Sequence, residues 1–101
     1  MSNRNWFYEL SKQSEKDLEE IFDYTVQEID FDLAIEYLEE FEELFNYLIV
    51  NPELGKKRDE IVPGIRSFPK TKHIVFYRIL KDRIRIVRVF HGSRDLPNFL
   101  R

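Results

Sequence analysis

The apolar residues of this chain change their spacing once, at Asn51-Pro52, and that switch restricts the fold to helices before it and strands after it. Before the switch, Leu18, Ile21, Phe22, Thr25 and Ile29 recur every three or four residues, with Glu15, Asp17, Glu19, Glu20 and Asp23 between them. This is the period of a helix with one buried face. Ala34, Tyr37, Leu38, Phe41, Leu44, Phe45 and Leu48 repeat it in a second helix, which Asn51-Pro52 stops because proline disfavours helical backbone in the residue before it. Ser11 or Ser14 can cap the first helix, and Asp30 or Asp32 the second. A link of two or three residues near Asp30 makes the pair an antiparallel hairpin.

Beyond the switch, Pro52-Glu53-Leu54-Gly55 and Pro63-Gly64 are turn signals, and the stretch between them reads as a loop carrying Lys56-Lys57-Arg58. Strands are expected at Ile65–Phe68, His73–Leu80 and Arg83–His91, with Lys81-Asp82 as a hairpin turn. In the last of these Arg83 to Ile86 alternate cleanly while Val87 to Phe90 do not, which a bulge or burial on both faces explains. Trp6, Phe7, Tyr8 and Leu10 form a first strand. Ser93 to Pro97 can make one turn of helix that Phe99 and Leu100 dock. The expected fold class is therefore α+β in the order β-α-α-β-β-β. A helical hairpin packs on a small, mainly antiparallel sheet with a short C-terminal helical tail, and residues 1–101 form a single domain.

Charge is sorted along the same division. Residues 1–55 carry three basic and fifteen acidic residues, a net of -12, and residues 56–101 carry thirteen basic and four acidic ones, a net of +9. Two surfaces of opposite sign suggest two kinds of partner. The cations Arg66, Lys72, Arg78, Arg85, Arg88 and Arg94 are expected on the sheet face or rim away from the helices. Cysteine is absent and histidine is limited to His73 and His91, so neither disulfides, nor a metal, nor a cofactor is expected, and a reducing cytoplasm suits the chain. No apolar run has the length of a membrane span, and the start is too poor in apolar residues for a signal peptide.

The order of these pieces resembles the ParE branch of the RelE/ParE superfamily, the toxins of bacterial type II toxin–antitoxin systems. The resemblance rests on Leu10-Ser11 and Lys16-Asp17-Leu18-Glu19-Glu20-Ile21, on Asn51-Pro52-Glu53-Leu54-Gly55, and on Ile65-Arg66-Ser67-Phe68-Pro69. It continues through His73-Ile74-Val75-Phe76-Tyr77-Arg78 and the run Ile86 to Asp95. It implies a toxin held inactive in a hetero-oligomer with a cognate ParD-like or other antitoxin, with DNA gyrase as the target of ParE-like members. RelE-like members instead cut messenger RNA on the ribosome without a metal. The two activities differ in kind, one a binding poison and the other an enzyme.

Metal-free RNA cleavage needs a base, an acid and cations on the phosphate. Arg66, Arg88, His91 and Arg94 are the candidates for such a site, although the partner base is not evident and no tyrosine follows Tyr77. His91 reads equally as a hydrogen-bonded turn histidine, His73 as a structural one, and Arg94-Asp95 as an ion pair holding the tail. For antitoxin binding the expectation is a groove along the helices with exposed sheet residues: Leu18, Phe22, Phe41, Phe45, Arg66, Arg78 and Arg88. For target binding it is Arg88, His91, Arg94 and Asp95. A general nucleic-acid-binding domain is the third reading, which the acidic helices disfavour by repelling a long polyanion.

Overall fold

The computed structural model describes residues 5–93. Helices α1 (Lys12–Glu28) and α2 (Phe31–Val50) lie on one face of a five-stranded sheet made of β1 (Phe7–Leu10), β2 (Lys56–Lys57), β3 (Arg66–Lys70), β4 (His73–Ile79) and β5 (Arg83–His91). The strands lie in the order β1-β5-β4-β3-β2. β3, β4 and β5 form an antiparallel meander, and β1 pairs parallel to β5. The α+β class stands, with one strand more than the sequence suggested. Lys56 pairs with Ser67 and Lys57 with Arg66, so the expected loop contains the edge strand β2. No helix among the described residues is long and apolar enough to cross a membrane. The C-terminal tail lies outside the described residues.

Local chemistry sets the helix ends. The Ser11 hydroxyl accepts from the Ser14 amide at 2.9 Å, and the Ser14 hydroxyl donates back to the Ser11 carbonyl at 2.9 Å, a reciprocal cap in which both serines take part. The Asp30 carboxylate accepts from the Leu33 amide at 3.1 Å and starts α2. Ile29, expected on the buried stripe, is instead the C-cap of α1 and is 64% exposed.

β1 reaches only as far as Ile86 on β5. From there α1 satisfies the open edge: the Ser11 amide donates to the Ile86 carbonyl at 3.0 Å, the Ser11 hydroxyl to the Val87 carbonyl at 2.7 Å, and the Val89 amide to the Asp17 carboxylate at 2.9 Å. Helix side chains thus replace a missing strand, as buried backbone groups require.

A bulge breaks the β4–β5 ladder, with Phe76 opposite Arg88 but Tyr77 opposite Ile86. Val87 is the extra residue, and this is why the alternation in the sequence fails there. Val75 and Tyr77 point into the main core with Leu18, Phe41, Phe45, Leu48, Ile84 and Ile86. Phe76 points to the opposite face, where it packs with Ile65 and Phe90 beneath Ile61 and Val62 of the β2–β3 connection. That connection covers the second face of the sheet. The expectation of a concave basic surface there is therefore corrected: the middle of this face is apolar and covered, because five bulky residues find no room on the helix side.

Tyr77 anchors the turn after α2. Its hydroxyl donates to the Pro52 carbonyl at 2.7 Å and accepts from the Gly55 amide at 2.8 Å, and burial pushes its phenol up. A Cβ at residue 55 would collide with that hydroxyl, so the close approach requires glycine.

Candidate functional site

An open groove of about 760 Å³ runs between the two helices on one side and the paired ends of β4 and β5 on the other. Its apolar surface comes from α1 and from the start of α2, where Tyr24, Ile29 and Leu33 are 65%, 64% and 39% exposed. Among the described residues, four carboxylates (Asp17, Glu20, Glu36, Glu40) line it against one lysine, Lys72. It is an acidic groove with apolar patches.

The β4–β5 register places His73 opposite His91, with ring centroids 5.5 Å apart and planes at 81°. His73 Nδ1 lies 2.8 Å from the Tyr37 hydroxyl, which also donates to the Lys70 carbonyl at 3.3 Å. Tyr37 thereby fastens α2 to the β3–β4 turn. His91 is held by its own turn, with Nδ1 2.8 Å from the Ser93 hydroxyl and accepting from the Ser93 amide at 3.2 Å. Burial, with a smaller push from His91, lowers His73 to about 4. A base that weak provides little driving force for proton abstraction at neutral pH. The carboxylates around it would also repel a phosphodiester.

The four candidates for a ribonuclease site are not brought together. Arg66 faces Tyr77 on β4, four residues from His73 and so ~13 Å away along the strand. Its guanidinium donates to the Glu53 and Gly55 carbonyls at 3.1 and 2.8 Å, holding the turn after α2. Arg88 forms a two-point pair with Asp17, Nε to Oδ2 at 2.8 Å and Nη2 to Oδ1 at 3.0 Å, and its guanidinium carbon sits 4.3 Å from the centroid of the Phe90 ring. Arg94 and Asp95 lie outside the described residues. Of the four, only His91 borders the groove.

The expected antitoxin contacts separate in the same way. Leu18, Phe41 and Phe45 are 8%, 1% and 1% exposed and belong to the core, which corrects their assignment to an open groove. Phe22 is half-buried against Phe31, with ring centroids 6.0 Å apart. Arg78 donates to the Pro63 carbonyl at 2.8 Å and faces Arg85 across the ladder, while Arg85 pairs with Glu9 at 2.6 Å. Arg66 and Arg88 are committed as described above. Sequence reasoning missed Tyr24 and Leu33, whose signal was an apolar side chain out of phase with the buried stripe. It also missed the approach of His73 to His91, which only strand register creates.

The histidine pair makes stability pH-dependent. A group with its folded pKa near 4 and an unfolded value near 6.5 contributes stability that is complete above pH ~6.5 and is lost as pH falls toward 4. The groups facing His73 are Tyr37, Glu36 and Glu40 from α2, Lys70 and Lys72 from the turn, and His91 from β5. His73→Gln, which keeps a partner for Tyr37 and cannot take up the proton, is expected to flatten the acid limb of urea midpoint against pH between 6.5 and 4. An unchanged limb would place the titration elsewhere.

Comparison with known proteins gives a consistent result. Residues 8–96 match the family model described as the ParE toxin of type II toxin-antitoxin system, parDE. The chain is 37% identical over 101 residues to Toxin ParE1 of Mycobacterium tuberculosis, covering 99% of this chain and 100% of that protein. It is 30% identical over 88 residues to Toxin ParE1 of Caulobacter vibrioides, covering 87% and 91% respectively. A chain from the chromosomal ParDE TA system of P. aeruginosa superposes with a TM-score of 0.73 at 22% identity, over 83% of this chain and 92% of that one, a likeness in fold. The helical hairpin, the β4–β5 ladder and nearly the full length of the sequence therefore agree on one assignment: this chain belongs to the ParE toxin family of type II toxin–antitoxin systems.

Proposed function

We propose that this toxin acts by binding and inhibiting DNA gyrase, and that its cognate antitoxin neutralises it by laying an amphipathic segment into the acidic groove. The observation carrying the first part is the engagement of its cations. Arg66 holds two backbone carbonyls and Arg88 is paired with Asp17, so the residues suited to clamp a scissile phosphate serve the fold instead. The groove that does contain two histidines is lined by carboxylates. Such a surface suits a protein partner better than RNA. The antitoxin segment fitting it has apolar residues for Tyr24, Ile29 and Leu33 and basic residues for Glu20 and Glu36.

The adjacent histidines favour one competing reading, a metal-independent ribonuclease acting on ribosome-bound messenger RNA. Two assays on purified, antitoxin-free protein separate the two, each with His91→Ala as control. Inhibited gyrase supercoiling with intact RNA is the expected result, and the variant then tests whether His91 is a contact residue. RNA cleavage that disappears in His91→Ala, with supercoiling unaffected, would overturn the gyrase reading.

A further inference from the structure

The groove uses the N-terminal end of α2, and a second exposed apolar surface lies at the other end. Tyr47 and Val50, one helical turn apart on α2, are 54% and 70% exposed, and Leu54 in the turn that follows is 45% exposed. Seventeen residues separate Leu33 from Val50, so the two surfaces stand ~25 Å apart along the helix. The charge beside them is opposite in sign. The turn carrying Leu54 leads directly into the exposed Lys56 and Lys57 of β2, and Lys57 faces Arg66 across the β2–β3 ladder. Arg66 in turn holds the Glu53 and Gly55 carbonyls, which fixes the turn against the sheet. Counting residues 47–57 together with Arg66, three cations stand against one carboxylate, Glu53. None of the three cations is ion-paired in the structure.

We propose that Tyr47, Val50 and Leu54, with Lys56, Lys57 and Arg66, form a second docking surface that takes an acidic amphipathic segment of a partner protein. Charge complementarity selects this occupant. The groove at the far end, lined by carboxylates, would reject an acidic segment, and this end would reject the basic one that suits the groove. The apolar residues argue against nucleic acid, which would leave Val50 and Leu54 without contacts and would bring its phosphates toward the acidic outer side of α2. An extended or helical segment with Leu or Ile flanked by Glu or Asp buries the apolar residues while its carboxylates meet the lysines. The surface is independent of what occupies the groove. The distance between the two permits both to be filled at once, so a neutralised toxin could still hold a second partner.

The test uses the isotope-labelled full-length chain and three probes: a 14-residue amphipathic peptide of leucine and glutamate, its leucine and lysine counterpart, and a 12-nucleotide single strand. The expected result is that the acidic peptide shifts the amide resonances of residues 47–57 and weakens at least fivefold in Lys56→Glu/Lys57→Glu. Val50→Ser should weaken it as well, by severalfold. All three positions are exposed, so the variants should stay folded, and an unchanged thermal midpoint verifies this. Shifts confined to the groove, equal affinity in the lysine variant, or preference of this surface for the oligonucleotide over the acidic peptide would each overturn the proposal.

Discussion

Replacing Asp17 with alanine is expected to lower the free energy of unfolding by ~3–5 kcal/mol, the cost typical of removing one partner from a buried, hydrogen-bonded ion pair. The Arg88 and Asp17 side chains are 16% and 11% exposed, and the Asp17 carboxylate accepts three hydrogen bonds, two from the guanidinium and one from the Val89 amide. Alanine leaves both a charge and a backbone donor without this partner, at the place where α1 substitutes for a strand along β5. Restoring apolar character with Asp17→Leu and Arg88→Met should recover part of the loss and no more, because the Val89 amide still lacks an acceptor. Urea unfolding at pH 7 reads the effect as a lower midpoint at constant m. A loss below ~1 kcal/mol would mean that the pair behaves as a solvated surface bridge. The result also governs how toxicity is interpreted. If Arg88→Ala abolishes growth inhibition, the folded fraction has to be measured before Arg88 is counted as a target contact.

Helix boundaries were legible in the sequence because their causes are local: a serine and an aspartate at the caps, a 3.6-residue apolar period, and Asn51-Pro52 as a stop. The Arg83–His91 strand was legible for the same reason, and even its irregular half pointed to the bulge at Val87. What escaped depends on residues far apart in the chain. β2 consists of two lysines with no strand pattern of their own, and it exists because Ser67 and Arg66 provide an edge to pair with. The partner of Arg88 sits 71 residues away on α1, so a cation that looked available for a target proved to be structural. The same holds for the histidines. Nothing near His73 in sequence announces His91, whereas the ladder places them face to face. The charge sorting survived into the structure in altered form. It does not separate helices from one basic sheet face. It distinguishes the two ends of α2, since many of the sheet arginines are tied to carbonyls or carboxylates.

Phe41→Ala is expected to cost ~3–5 kcal/mol, as large-to-small changes of buried aromatic residues do. Phe41 is 1% exposed, and its ring centroid lies 4.8 Å from Tyr37, 6.1 Å from Phe45 and 6.0 Å from His73. It therefore supports the face of α2 that presents Tyr37 to His73, and its loss undermines the groove from below. In a domain whose total stability is of order 5–15 kcal/mol, that leaves little margin at 37 °C. The contrast with Leu33→Ser separates core from docking surface. At 39% exposure Leu33 should cost no more than ~1 kcal/mol, yet it should weaken antitoxin binding through the lost apolar contact. Thermal melts together with antitoxin titrations distinguish the cases. Phe41→Ala should lower Tm strongly and lose affinity only in proportion to its unfolded fraction, while Leu33→Ser should keep Tm and lose affinity. If instead Phe41→Ala kept its Tm and lost the antitoxin, the helices would have to open to admit the partner, and the ring would be a binding residue that the closed fold conceals.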